Sequence, residues 1–109
     1  MEKRRPHYPL ETFKRLFFSE RSRIITQTAR EGAVTMGYMD DDDIMAVISR
    51  LGTKQFVKSM TTYKNHRIWQ DVYQYEDEND NILYIKVQLS SDYKKAILVQ
   101  MKKHEGSDE

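Results

Sequence analysis

Cysteine is absent from this chain of 109 residues, so neither a disulfide framework nor a thiolate metal site can form. The same absence suits a reducing cytoplasm. Histidine is scarce: His7, His66 and His104 stand far apart and show no metal-ligand spacing, and no metal site or cofactor is expected. No apolar run is long enough to span a bilayer, and the charged N-terminus lacks a following hydrophobic signal region. The expectation is a cytoplasmic protein without membrane contact. Charge of one sign is also missing, with a formal net charge of +1 although 32% of residues are charged, so overall charge gives no argument for nucleic acid. Repeats, low-complexity segments and linkers are absent too. The length fits one domain with a modest core.

What is present is unevenly spread. Basic residues cluster at Lys3-Arg4-Arg5, Lys14-Arg15, Lys94-Lys95 and Lys102-Lys103, and acids at Asp40 to Asp43 and Glu76 to Asp80. A nearly neutral chain with this distribution can present a basic cleft, because RNA responds to the local field. Solvated faces are the commoner fate of such runs.

The hydrophobic pattern changes period midway. Residues 1 to 9 are polar and basic, and Pro6 and Pro9 oppose helix there. Leu10, Phe13, Leu16 and Phe17 recur at helical spacing and predict a helix from Leu10 to Phe18. Ser22 to Ile25 is ambiguous. Thr26 is placed to cap a second helix reaching about Met36, with Gly32 weakening its middle and Gly37 stopping it. Asp40 to Asp43 precede a third helix, Ile44 to Leu51, where carboxylates cap free amides and complement the helix dipole. Capping explains these aspartates better than a metal does, since consecutive helical residues do not converge on one ion.

Strand patterns follow. Phe56 to Tyr63 and Ile68 to Tyr73 form a hairpin around Lys64 to Arg67, and Glu76 to Asn81 is an acidic turn. Ile82 to Leu89 alternates cleanly: Leu83, Ile85, Val87 and Leu89 on one face, Tyr84, Lys86 and Gln88 on the other. Ala96 to Lys103 is a last strand with Leu98, Gln100 and Lys102 in phase. The charged segment from His104 to Glu109 reads as a disordered tail. The expectation is an α+β fold, one domain over residues 1–103, with N-terminal helices packed on one face of an antiparallel sheet.

Lys58, Gln70, Tyr84, Lys86, Gln100 and Lys102 are the polar residues that fall in phase along these strands. On a helix-free face they would form a shallow basic patch with a tyrosine. Such a surface suits single-stranded RNA, with cations on phosphates and rings on splayed bases. Taken alone, the pattern also fits a solvated sheet face with snorkelling lysines, and that is the commoner case.

Residues 58 to 73 read KSMTTYKNHRIWQDVY, a long and compositionally unusual stretch. It resembles the signature of the motility quorum-sensing regulator (MqsR) toxins, which are RelE-like mRNA interferases. The opening Met1 to His7 and the later Tyr84-Ile-Lys86 resemble that family too, so the likeness covers nearly the whole chain. It implies a RelE-like fold and a ribosome-independent, metal-independent endoribonuclease that restrains translation and growth. It also implies neutralisation by a cognate antitoxin, typically zinc-binding with a helix-turn-helix domain, so that DNA binding would belong to the partner. The residues the family associates with cleavage match Lys58, Gln70, Tyr84 and Lys102. Lys86, Tyr63 and His66 are the further expected RNA contacts. Parity selects Lys102 over Lys103, because Lys102 shares a face with Gln100.

Such cleavage uses the RNA 2′-hydroxyl as nucleophile, so the protein need only orient it, remove a proton and stabilise the phosphorane. Clustered lysines have depressed pKa values. Lys58 then suits the role of base or of phosphorane charge, and Lys102 that of phosphate stabilisation. Tyr84 suits proton exchange or base stacking, and Gln70 suits holding the 2′-hydroxyl or a phosphate oxygen. The assignment of acid and base stays open. A non-catalytic RNA-binding or regulatory module on the same scaffold is the alternative.

Overall fold

A computed structural model describes residues 1–105 of the chain. Three α-helices lie in the first half of the chain: α1 (Leu10–Phe17), α2 (Gln27–Thr35) and α3 (Asp41–Arg50). Their ends follow the local chemistry. The Thr26 hydroxyl accepts from the Ala29 amide, and the Asp40 carboxylate accepts from the Asp43 amide. Gly37, at φ +95°, closes α2, as the Tyr38 amide donates to the Ala33 carbonyl and the Gly37 amide to that of Val34. Among the Asp40 to Asp43 side chains, Asp43 accepts from the Met39 amide, and Asp41 takes Arg23 at 3.1 Å and Arg30 at 2.7 Å.

The strands are β1 (Glu2–Lys3), β2 (Arg23–Ile25), β3 (Phe56–Thr61), β4 (Trp69–Glu76), β5 (Ile82–Leu89) and β6 (Ala96–Lys103). They form one six-stranded sheet in the order β1-β3-β4-β5-β6-β2. The expected meander is its antiparallel centre, β3 to β6. The two edges differ from expectation. The ambiguous Ser22 to Ile25 stretch supplies β2, which runs parallel to β6, and the polar N-terminus supplies β1, antiparallel to β3. Both strands are too short to carry a periodic signal. The hairpin loop is also wider than Lys64 to Arg67, spanning Thr62 to Ile68, because Thr62 and Asn65 satisfy one another: the Thr62 hydroxyl donates to the Asn65 carbonyl at 2.7 Å and accepts from its amide at 3.0 Å.

All three helices share one core with the sheet. Phe13 and Phe17 of α1, Ala29 and Ala33 of α2, and Ile44, Val47 and Ile48 of α3 meet Leu83, Ile85, Val87 and Leu89 of β5. Fully burying the phenylalanine, leucine, isoleucine and valine side chains among them contributes about 1.5–3 kcal/mol each. The α+β expectation therefore holds, and among the described residues no helix lies on the opposite face of the sheet.

Two β-bulges set which residues reach that face. One falls in β3 between Phe56 and Lys58: Phe56 pairs with the core residue Tyr73, whereas Lys58 pairs with Val72. The other falls in β6, where Val87 pairs with Leu98 but Lys86 pairs with Gln100, leaving Val99 as the extra residue. The phasing of Leu98 with Gln100 and Lys102 is thus corrected. Leu98 is buried in the core, and the bulge rotates Gln100 and Lys102 to the helix-free side. At the first residue of the expected tail, the His104 amide donates to the Ile82 carbonyl at 2.7 Å. Residues 106–109 of that expected tail lie outside the described residues.

Candidate active site

The strand register lays the helix-free face out in rows. The central row runs Lys58, Val72, Lys86, Gln100 across β3, β4, β5 and β6. On one side stands Gln74, Tyr84, Lys102. On the other, Met60 faces Gln70, whose Nε2 donates to Gln88 Oε1 at 2.7 Å. Lys58, Gln70, Tyr84, Lys86 and Lys102 are therefore brought together on one surface. Val72 is buried although no helix covers it, since the aliphatic stems of its neighbours Lys58 and Lys86 flank it.

The Tyr84 ring lies between two ammonium groups, with Lys86 Nζ 5.7 Å and Lys102 Nζ 5.5 Å from its centroid. Both contacts fall within cation–π range. Lys86 sits at the middle of the basic patch and is half-buried. Burial lowers its pKa from the ordinary lysine value, and the charges of Lys102 and Lys58 lower it further. Lys103 is cross-strand to the core residue Leu83, on the side opposite Tyr84, and is exposed.

The N-terminus adds a residue that sequence reasoning missed. Glu2 Oε2 pairs with Lys58 Nζ at 3.2 Å. Its position follows from β1, which is anchored at both ends. The Met1 ammonium donates to Thr61 Oγ1 at 3.1 Å, and the buried Asp71 carboxylate accepts the His7 and Tyr8 amides at 3.0 and 2.9 Å. No signal short of the β1–β3 pairing could have put Glu2 beside Lys58. Gln74 and Gln88 were likewise unassigned, although strand parity places both on this face.

Tyr63 and His66 are not drawn into the rows. Both lie in the Thr62 to Ile68 loop, where Tyr63 is 95% exposed and His66 is exposed. Among the described residues, no three histidine, aspartate or glutamate side chains converge as metal ligands would. No helix of the described residues is long and apolar enough to cross a membrane.

Chemically, the face offers three ammonium groups, a phenol between two of them and a row of amides. It can hold several phosphate oxygens and exchange protons through a phenol or a destabilised ammonium. Comparison with known proteins agrees in extent with this arrangement. Residues 5–103 match the family model described as motility quorum-sensing regulator, toxin of MqsA. The mRNA interferase toxin MqsR of Escherichia coli (strain K12) is 45% identical over 73 residues, which cover 67% of this chain and 72% of that protein. The matched span takes in every strand of the lysine face except β1, and the chain belongs to the motility quorum-sensing regulator toxin family.

Proposed function

We propose that this protein is the toxin of a type II toxin–antitoxin pair, an endoribonuclease that cleaves single-stranded mRNA on the helix-free face and so halts translation and growth. The observation that carries the reading is the Tyr84 ring within cation–π reach of both Lys86 and Lys102, with Lys58 two strands away along the central row, across Val72. The Escherichia coli relative, named as an mRNA interferase, supports the choice of substrate.

In this mechanism the RNA 2′-hydroxyl attacks the adjacent phosphate, forming a 2′,3′-cyclic phosphate as the 5′-oxygen leaves. Lys86, expected from the sequence only as an RNA contact, is here proposed as the base in place of Lys58. Its lowered pKa gives it more of the neutral amine near pH 7 than an ordinary lysine has. Lys58 and Lys102 supply the charge that builds on the phosphorane, with Glu2 holding Lys58 over the face. Tyr84 protonates the leaving oxygen, and Gln70, braced by Gln88, orients the 2′-hydroxyl. With lysines providing the positive charge, the proposed reaction runs without a metal ion, and its proposed substrate is free RNA cleaved without the ribosome. Tyr63 and His66, exposed on the hairpin loop, extend the RNA contact beyond the strands. The cytoplasm, where mRNA is translated, is the proposed place of action.

The proposed partner is the cognate antitoxin, MqsA in the family description; it is further proposed to bind zinc and to carry a helix-turn-helix domain that supplies the DNA binding of the pair.

The test is incubation of purified protein with naked RNA in excess EDTA. Turnover with a 2′,3′-cyclic phosphate and a 5′-hydroxyl is expected. Loss of cleavage in EDTA with recovery on added magnesium would refute the mechanism. A mobility shift without cleavage would favour the non-catalytic binding module.

A further inference from the structure

Beyond the Gln70–Gln88 bridge the lysine face runs into a cleft of about 200 Å³ at the end of the sheet. It is lined by Arg67 and Ile68 of the hairpin loop, by Ser90 and Tyr93 of the turn after β5, and by His7 and Tyr8. Its polar groups point to a ligand rather than to packing. The Arg67 guanidinium has no protein partner among the described residues. Gln88 uses its Oε1 on Gln70, and its amide nitrogen has no protein partner among the described residues. His7 stacks on Trp69 with centroids 5.4 Å apart and planes at 16°. The Lys3 ammonium donates to its Nδ1 at 2.9 Å, so the ring proton sits on Nε2. Burial lowers the pKa of this histidine, and Lys3 lowers it further, which favours the neutral ring.

Tyr93 lines the same cleft in a conformation its side chain disfavours. Its φ is +61°, a region where glycine or asparagine is the economical choice in a turn. The ring is half-exposed and meets Tyr8 edge-on at 5.9 Å. A bulky aromatic in left-handed backbone stores strain, and residues held this way cluster at ligand sites. An exposed flat ring, an unpaired guanidinium and a free amide donor together suit an unstacked nucleobase that presents acceptors on its edge.

We propose that this cleft is a nucleobase subsite of the RNA-binding face: a base next to the cleaved linkage stacks on Tyr93 while Arg67 and Gln88 read its edge. The inference rests on the RNA-cleaving reading above. It makes Gln88 a positioning residue that links base recognition to Gln70, because the same amide contacts both.

A set of uncleavable 2′-O-methyl RNA oligonucleotides, each lacking one base, tests this by fluorescence anisotropy at fixed salt. For the unaltered protein, one abasic position should weaken binding by about tenfold, the scale of a single base–aromatic stack. For Tyr93→Gly, intact RNA should bind about tenfold more weakly, and that abasic position should cost nothing further. Glycine takes φ +61° without strain, so the melting temperature of Tyr93→Gly should not fall by more than a few degrees. Arg67→Ala, on an exposed loop, should bind intact RNA more weakly and discriminate less among the four bases at that position. Undiminished binding by both variants, or the same abasic penalty in all three proteins, would overturn the subsite and leave the cleavage reading standing. Neither binding nor cleavage of RNA by the unaltered protein would overturn both.

Discussion

Single side chains decide the chemistry proposed for this face, and two of them are separable by substitution. Lys102 is cross-strand to Tyr84 on the open face, whereas Lys103 is cross-strand to Leu83 on the opposite side. Removing a preorganised cation aimed at a phosphorane costs on the order of 10²-fold or more in rate. Lys102→Ala should therefore nearly silence single-turnover cleavage of a short RNA, while Lys103→Ala changes it little, and the reverse ranking would show that the register of β6 is wrong by one residue. Lys86 carries a different signature. Its pKa is lowered in the folded chain, so folding at neutral pH works against its charge, and that penalty fades as pH rises from the folded pKa toward the ordinary value of 10.5. Lys86→Met should raise the melting temperature at pH 7 while lowering the cleavage rate by about 10²-fold or more. A variant that melts lower would mean that the ammonium is held by favourable contacts, which does not suit a base.

At the scale of elements, the site depends on how β6 is placed, and α2 governs that placement. Gly32 lies where α2 meets β6, and a Cβ there would occupy the space of the Met101 carbonyl oxygen and crowd Lys102 Cβ. The obstacle is backbone, which cannot swing aside. Helix propensity alone says that alanine should improve α2 by roughly 1 kcal/mol. Packing reverses that sign: Gly32→Ala should lower stability by about 1–3 kcal/mol, as overpacking does, and chemical denaturation measures it. Because the displaced residues are Met101 and Lys102, the same variant should lose cleavage activity even where it remains folded. The bulges in β3 and β6 act in the same direction, since each turns a polar residue outward after an apolar one has entered the core.

At the scale of the whole molecule, ionisable groups bracket the pH range of stability. The Arg30 hydrogen bond holds the Asp41 carboxyl below its ordinary 3.8, and Arg23 adds to this against the opposing effect of burial. Its contribution is present above 3.8 and is lost as pH falls through the folded value. At the other end, burial pushes the Tyr8 and Tyr38 phenols up to about 12 from 10.0, with Tyr93 and Asp77 among the further causes. The unfolded chain ionises first, so their contribution is present below pH 10 and is lost as pH rises toward 12. Melting temperature measured across pH should fall on both sides, and Asp41→Asn should remove part of the acid limb only. Tyr38→Phe should blunt the alkaline limb.

The sequence by itself determined the three α-helices, the four central strands, the helix caps and the two-faced pattern of β5, because each depends on neighbours within one turn or one strand. Thr26, Asp40 and Gly37 act through bonds three to five residues away, and the alternation of Leu83 to Leu89 needs only the pleat. The lysine, glutamine and tyrosine composition of the open face was legible for the same reason. Only the tertiary structure decided the rest. The bulge at Val99 separates Leu98 from Gln100, and a bulge inserts a residue without any change of composition that marks it. Glu2 reaches Lys58 across a gap of 56 residues in sequence because Asp71 pins the N-terminal segment to β4. The His7, Arg67, Gln88 and Tyr93 cleft is assembled from three separate segments. Local pattern fixes what each strand can present; which residues meet is set by long-range pairing, whose register and edges no single segment encodes.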